Sequence, residues 1–148
     1  RNFIPEQGEP GIPKSKNFLW AGRLIPEKNI EMLKKFNVDI VTRESHEQVL
    51  EKIKKCYVAM SLAFTDICPN FILEAISFNK PFIMTYETGL DELYPKGGIF
   101  VDSRNEEEIS RAIKSIMDEN SYNRYVEDLK SINPRHSWRE MAEEFLNI

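Results

Sequence analysis

TDICPNFILEAISFNKPFIMT, residues 65–85, holds a helix and a strand end to end. Phe71, Ile72, Leu73, Ala75 and Ile76 predict a buried helix over about 69–78, with Pro69 in its first turn, where a missing N–H costs nothing. PFIMT (81–85) then reads as a strand. Upstream, YVAMSLAF (57–64) is a near-continuous apolar run, as expected of a strand buried on both faces. Strand, helix and strand in this order predict parallel pairing. Glu74 interrupts the apolar helix, and an unpaired carboxylate there is costly to desolvate. It sits on an exposed edge, pairs with a core lysine or arginine, or accepts hydrogen bonds from hydroxyls of a ligand docked at the helix start. The helix alone does not separate these readings.

The same alternation extends in both directions. NFLWA (17–21) predicts a strand, residues 26–36 a helix opened by Pro26, and VDIVT (38–42) the next strand. A helix over about 46–56 places Val49, Leu50, Ile53 and Cys56 on one stripe. GIFV (98–101) adds a short strand. Helices follow over about 105–119, 122–132 and from Ser137, the last with Ser137 and Glu140 as a capping box. The fold class expected is α/β: a Rossmann-like parallel sheet with helices on both faces. Ligands of such folds bind outside the carboxyl ends of the strands.

The bulk composition narrows the function. The chain has 148 residues, enough for one domain with a real core. Its formal charge of -4 argues against a nucleic-acid partner, since phosphate contacts want a basic surface. Cys56 and Cys68 make neither metal spacing nor a disulfide framework, which fits a cytoplasmic setting. The apolar runs are strand-sized, so no spanning helix is expected, while contact with a membrane surface stays open. Residues 1–16, polar and rich in Pro and Gly, read as a linker from a missing amino-terminal domain, and 17–148 as the folded domain.

Two further groups could carry chemistry. In AGRLIPEKN (21–29), Gly22 and Arg23 follow a strand and Lys28 enters the next helix, where a cation opposes the helix dipole. The pair is either two solvated surface cations or an anion clamp. At the opening stretch, Asp66 ends a loop, and the free amides of Asn70, Phe71 and Ile72 make a ready anion site. His46 and His136 each open a predicted helix, where capping or a solvated surface is the common role. No Walker loop, no G-x-G-x-x-G and no Asp-x-Asp occurs, so no metal and no cofactor is expected.

In series, these pieces resemble the carboxyl-terminal domain of a GT-B glycosyltransferase of the group 1, family four retaining type. FLWAGRLIPEKN is similar to that family's strand and Gly-Arg-Leu turn, with Arg23 and Lys28 at its Arg-x4-Lys positions. DICPNFILEAISFNKPFIMT resembles its Glu-x7-Glu element, Glu74 matching the second glutamate and Asp66 standing where the first would be. TGLDELYPKGGIFVDSRNEEEISRAI and HSWREMAEEFLNI are similar to its later stretches. The resemblance implies a metal-independent donor-binding domain that takes a nucleotide diphosphate sugar. Arg23 and Lys28 would hold the diphosphate with the amides of Asn70, Phe71 and Ile72. Glu74 would accept from the ribose hydroxyls, satisfied only when nucleotide arrives, and Asp66 would contact the sugar.

Thr42, Arg43 and Glu44 mark the expected neighbourhood of the base. Asp66 is one methylene shorter than glutamate, a shift in reach of about 1.5 Å. The short spacing from Arg23 to Asp66 implies a sheet reduced by one β–α unit. The acceptor site and any peripheral membrane contact would belong to the missing half, leaving this chain little active alone. A degenerate GT-B-like domain kept for assembly or partner binding, and a nucleotide-sugar epimerase relative, are the alternatives.

Overall fold

The computed structural model describes residues 16–64, 70–86 and 96–132. Five strands, β1 (Phe18–Ala21), β2 (Asp39–Val41), β3 (Val58–Met60), β4 (Phe82–Thr85) and β5 (Gly98–Val101), form one sheet in the order β2-β1-β3-β4-β5. Every pairing is parallel, with Leu19 opposite Asp39, Phe18 opposite Val58, Ala59 opposite Phe82 and Ile83 opposite Ile99. The predicted α/β architecture is therefore present: a Rossmann-like parallel sheet.

Strand alternation sorts the apolar side chains into two layers, because successive residues point to opposite faces. Leu19, Ala21, Ala59, Phe82 and Met84 face one side with Ile53 of α2 (His46–Lys55) and Ile72, Leu73 and Ile76 of α3 (Asn70–Ser77). Phe18, Trp20, Val58, Met60 and Ile83 face the other, under Leu33 of α1 (Ile30–Lys35) and Ile109, Ala112 and Ile116 of α4 (Glu106–Met117). Each fully buried aliphatic side chain contributes about 1.5–3 kcal/mol, so the two layers are the main stabilisation. The last helix, α5 (Glu119–Ile132), gives Leu129 to the first layer and Tyr122 and Tyr125 to the second.

Three boundaries differ from the sequence reading. The expected helix over 26–36 is split into a 3₁₀ turn, Pro26–Lys28, and α1, because Asn29 adopts a left-handed conformation (φ 58°, ψ 46°). The strand read over 57–64 pairs as a ladder only across Val58–Met60; Ser61, Leu62 and Ala63 stay buried beyond it. The helix read from residue 122 begins at Glu119, where the Asp118 carboxylate accepts from the Ser121 amide at 2.9 Å. The expected linker (apart from Lys16), Pro69 and the final helix from Ser137 lie outside the described residues. No helix among the described residues is long and apolar enough to cross a membrane.

Chain connections from β1 run to β2 on one side and from β2 to β3 on the other. The point where the order reverses, between β1 and β3, opens a crevice outside the strand ends.

Candidate functional site

A cleft of about 540 Å³ lies at that reversal. Its floor is the end of β1. The Gly22 amide donates to the Val41 carbonyl at 3.1 Å, carrying the pairing one residue past the strand. A Cβ at Gly22 would come within 2.9 Å of the Trp20 ring, so glycine lets the backbone lie against the indole that forms part of the wall.

Arg23 and Lys28 come next along the chain, and both line the cleft. Their loop is fixed at several points. The Ile25 amide donates to the Arg23 carbonyl at 3.0 Å, and the Lys28 amide to the Ile25 carbonyl at 3.0 Å. Asn29 then ties the loop to its neighbours: its Nδ2 donates to the Leu62 carbonyl at 2.9 Å and to the Ser103 carbonyl at 3.3 Å. The Phe64 amide donates to the Glu27 carbonyl at 2.8 Å, a second tie to the chain beyond β3. The Arg23 guanidinium has no ion-pair partner among the described residues and is exposed. Lys28 is half-buried.

The opposite wall is the start of α3. Asn70, Phe71 and Glu74 line the cleft. An eight-residue helix with its amino end at the cleft directs partial positive charge into it. Ile72 contributes no side chain there, since it is fully buried in the core layer. Any part it plays runs through its backbone amide.

Glu74 is buried, with a side chain only 9% exposed. It is not left unpaired. His46 Nε2 is hydrogen-bonded to Glu74 Oε2, and that overturns the expectation of a carboxylate satisfied only by an incoming nucleotide. The partner is neither the core lysine nor the core arginine that the sequence reading allowed. His46 stands at the first position of α2, held by a capping box. The Gln48 amide donates to Ser45 Oγ at 3.1 Å, and the Ser45 amide donates to Gln48 Oε1 at 3.0 Å. A signal was present in Ser45-x-x-Gln48. It starts a helix just after β2, and every such start in a doubly wound sheet arrives at the same edge.

The loop after β2 brings one of its three expected residues to the cleft. Thr42 and Arg43 do not line the cleft; Glu44 does. Arg43 takes a left-handed turn (φ 68°), which redirects the chain before α2. The Glu44 carboxylate is bound by Lys52 Nζ at 2.8 Å. Ile25, His46, Val49 and Ser61 complete the lining. Asp66 lies outside the described residues. Among the described residues, no three His, Cys, Asp or Glu side chains converge as a metal-binding group.

The cleft thus joins two cations, a helix amino end, a buried carboxylate and an imidazole around one cavity. It suits a ligand that is anionic at one end and offers hydroxyl donors at the other.

No protein-family model and no curated protein matches the sequence. Solved structures do match the fold. Sucrose-phosphate synthase from Thermosynechococcus elongatus aligns at TM-score 0.68 and 15% identity over 92% of this chain and 45% of its own. WaaG, a glycosyltransferase involved in lipopolysaccharide biosynthesis, aligns at TM-score 0.72 and 14% identity over 90% of this chain and 46% of its own. HepE from Anabaena, in complex with UDP-glucose, aligns at TM-score 0.67 and 12% identity over 89% of this chain and 48% of its own. The chain spans just under half the length of these relatives, and its fold is that of one half of a GT-B glycosyltransferase.

Proposed function

We propose that this chain is the carboxyl-terminal, donor-binding half of a retaining GT-B glycosyltransferase, which takes a nucleotide diphosphate sugar without a metal ion. The observation that carries the reading is the convergence of Arg23, Lys28, the start of α3 and Glu74 on one cleft at the strand ends. They come from separate segments, and only the fold unites them.

On this reading Arg23 and Lys28 hold the diphosphate and offset the charge that grows on the leaving nucleoside diphosphate. The amides of Asn70, Phe71 and Ile72 share that charge. Groups placed in advance around developing charge are effective because nothing need reorganise during reaction. Removing one typically costs about 10²–10³ in rate. Glu74 accepts from the ribose hydroxyls and Asp66 from those of the sugar. The acceptor and the remaining catalytic groups belong to a second domain, so the chain alone binds donor weakly and turns over little. Solved relatives about twice its length support that division.

Titration with UDP, GDP and ADP sugars tests the reading. Trp20, in the cleft wall, reports binding by fluorescence in a Trp138→Phe background. One base series is expected to bind, and Arg23→Ala and Glu74→Ala each to weaken it at least about tenfold, the effect of losing one charge-assisted bond. No binding by any nucleotide, or binding indifferent to both substitutions, overturns the proposal and favours a domain kept for assembly.

A further inference from the structure

We propose that His46 is a positioning residue of the cleft, one that fixes the Glu74 carboxylate for the adjacent hydroxyls of a nucleotide's ribose. The inference rests on the donor-binding reading above and assigns a new residue to it. His46 and Glu74 come from different helices and line the same cavity. The imidazole takes Glu74 Oε2. An ionised carboxylate only accepts, so the His46 nitrogen facing it carries the proton. The carboxylate has about four acceptor positions on two oxygens, and one imidazole occupies one of them. What remains can take two neighbouring O–H donors, the pattern a ribose diol presents.

The pairing is rigid as well as complementary. His46 is anchored by the capping box at the start of α2, and Glu74 by its place in the buried face of α3. The two helices are packed together through Ile53, Val49 and Leu50 against Ile72, Leu73 and Ile76. A lysine at position 46 could also donate to the carboxylate, but its flexible four-carbon stem would not lock the orientation. The His46 side chain is itself 65% exposed, so it contributes little to the core. Its effect on the ligand is therefore separable from its effect on folding.

The test uses the whole chain with UDP, GDP and ADP and the 2′,3′-dideoxy form of each. The native chain is expected to bind one ribonucleotide at least about tenfold more tightly than its dideoxy counterpart, which loses both hydrogen bonds to the carboxylate; one bond to a charged group already amounts to that factor. Glu74→Ala removes that preference. His46→Ala reduces it to about threefold or less, whereas a general loss of structure would weaken the ribose and dideoxy forms alike and leave their ratio in place. His46→Gln keeps an amide donor in place of the ring nitrogen and restores most of it, which also guards against a His46→Ala chain that folds poorly. If Glu74→Ala erases the ribose preference and His46→Ala and His46→Gln both retain it in full, His46 has no positioning role and the donor-binding reading survives. If the native chain binds no nucleotide, both fall together.

Discussion

Glu74 is the residue whose presence folding alone explains least. Its neighbours on α3, Ile72, Leu73, Ala75 and Ile76, are buried apolar side chains, and Glu74 shares their environment, its side chain 9% exposed. Removing an ionised carboxylate from water costs several kcal/mol. Among the described residues, its hydrogen bond with the mostly exposed His46 recovers part of that. A well-packed apolar side chain of similar length would avoid the cost altogether. Glu74→Met is therefore expected to leave the folded state as stable or more so, by up to about 4 kcal/mol, in urea denaturation. The same substitution should weaken nucleotide binding at least about tenfold in the Trp20 titration. A destabilisation of more than about 2 kcal/mol would show instead that the Glu74–His46 pair serves the fold, and would weaken its assignment to a ligand. The residue was visible in the sequence as an acid inside an apolar run. Its partner was not, because His46 lies 28 positions away and only the packing of α2 on α3 brings it near.

Among the elements, the loop from β1 to α1 shows most clearly what sets a site's geometry. The apolar spacing over residues 26–36 predicts one helix, yet the chain breaks at Asn29. A left-handed residue costs a non-glycine side chain roughly 1–2 kcal/mol, and asparagine bears it best. Here the break is fixed by the two hydrogen bonds from Asn29 Nδ2 to the carbonyls of Leu62 and Ser103. Those bonds hold Lys28, the preceding residue, against the cleft. Asn29→Ala loses both bonds and keeps an unfavourable backbone, so it is expected to cost about 2–3 kcal/mol in urea denaturation. Asn29→Gly loses the bonds but not the backbone freedom, and should be milder by about 1 kcal/mol. Equal costs would mean that the left-handed turn stores no strain. Strands and helices were legible because their signals are local: the short continuous apolar run FLWA and the apolar stripe of α2. The break at Asn29 was not, since the carbonyls that hold it lie 33 and 74 residues further on.

For the molecule as a whole, strand–helix alternation carried the parallel sheet and its two-layered core, but not the strand order, which depends on where each helix packs. One consequence of that core concerns alkaline conditions. Cys56, at the end of α2, sits in the first layer, and burial pushes its thiol from 9.0 up to about 12. Burial also raises Tyr57, to about 12, and Tyr122, whose ring stacks on Tyr57 with centroids 3.9 Å apart. Between pH 9 and 12 the folded chain keeps the Cys56 proton while the unfolded chain releases it, so stability falls as pH rises through this window. The half-buried Tyr57 and the more deeply buried Tyr122 act in the same direction above pH 10. Lys80 opposes them. Burial lowers its pKa, so the penalty for its buried charge is relieved as pH rises toward its ordinary 10.5. Between pH 9 and 10 Cys56 and Lys80 act against each other. Above pH 10 the two tyrosines join Cys56, so the net loss of stability lies there. Each unit of pH in the window costs about 1.4 kcal/mol per proton retained by the folded state. Cys56→Ala removes one such proton. Although it starts from lower stability at pH 8 because of the cavity, its decline from pH 9 to 10.5 should be shallower than the native chain's by about one proton's worth. Urea midpoints across that range measure the two slopes, and parallel curves would show that the buried thiol does not hold its proton in the folded state.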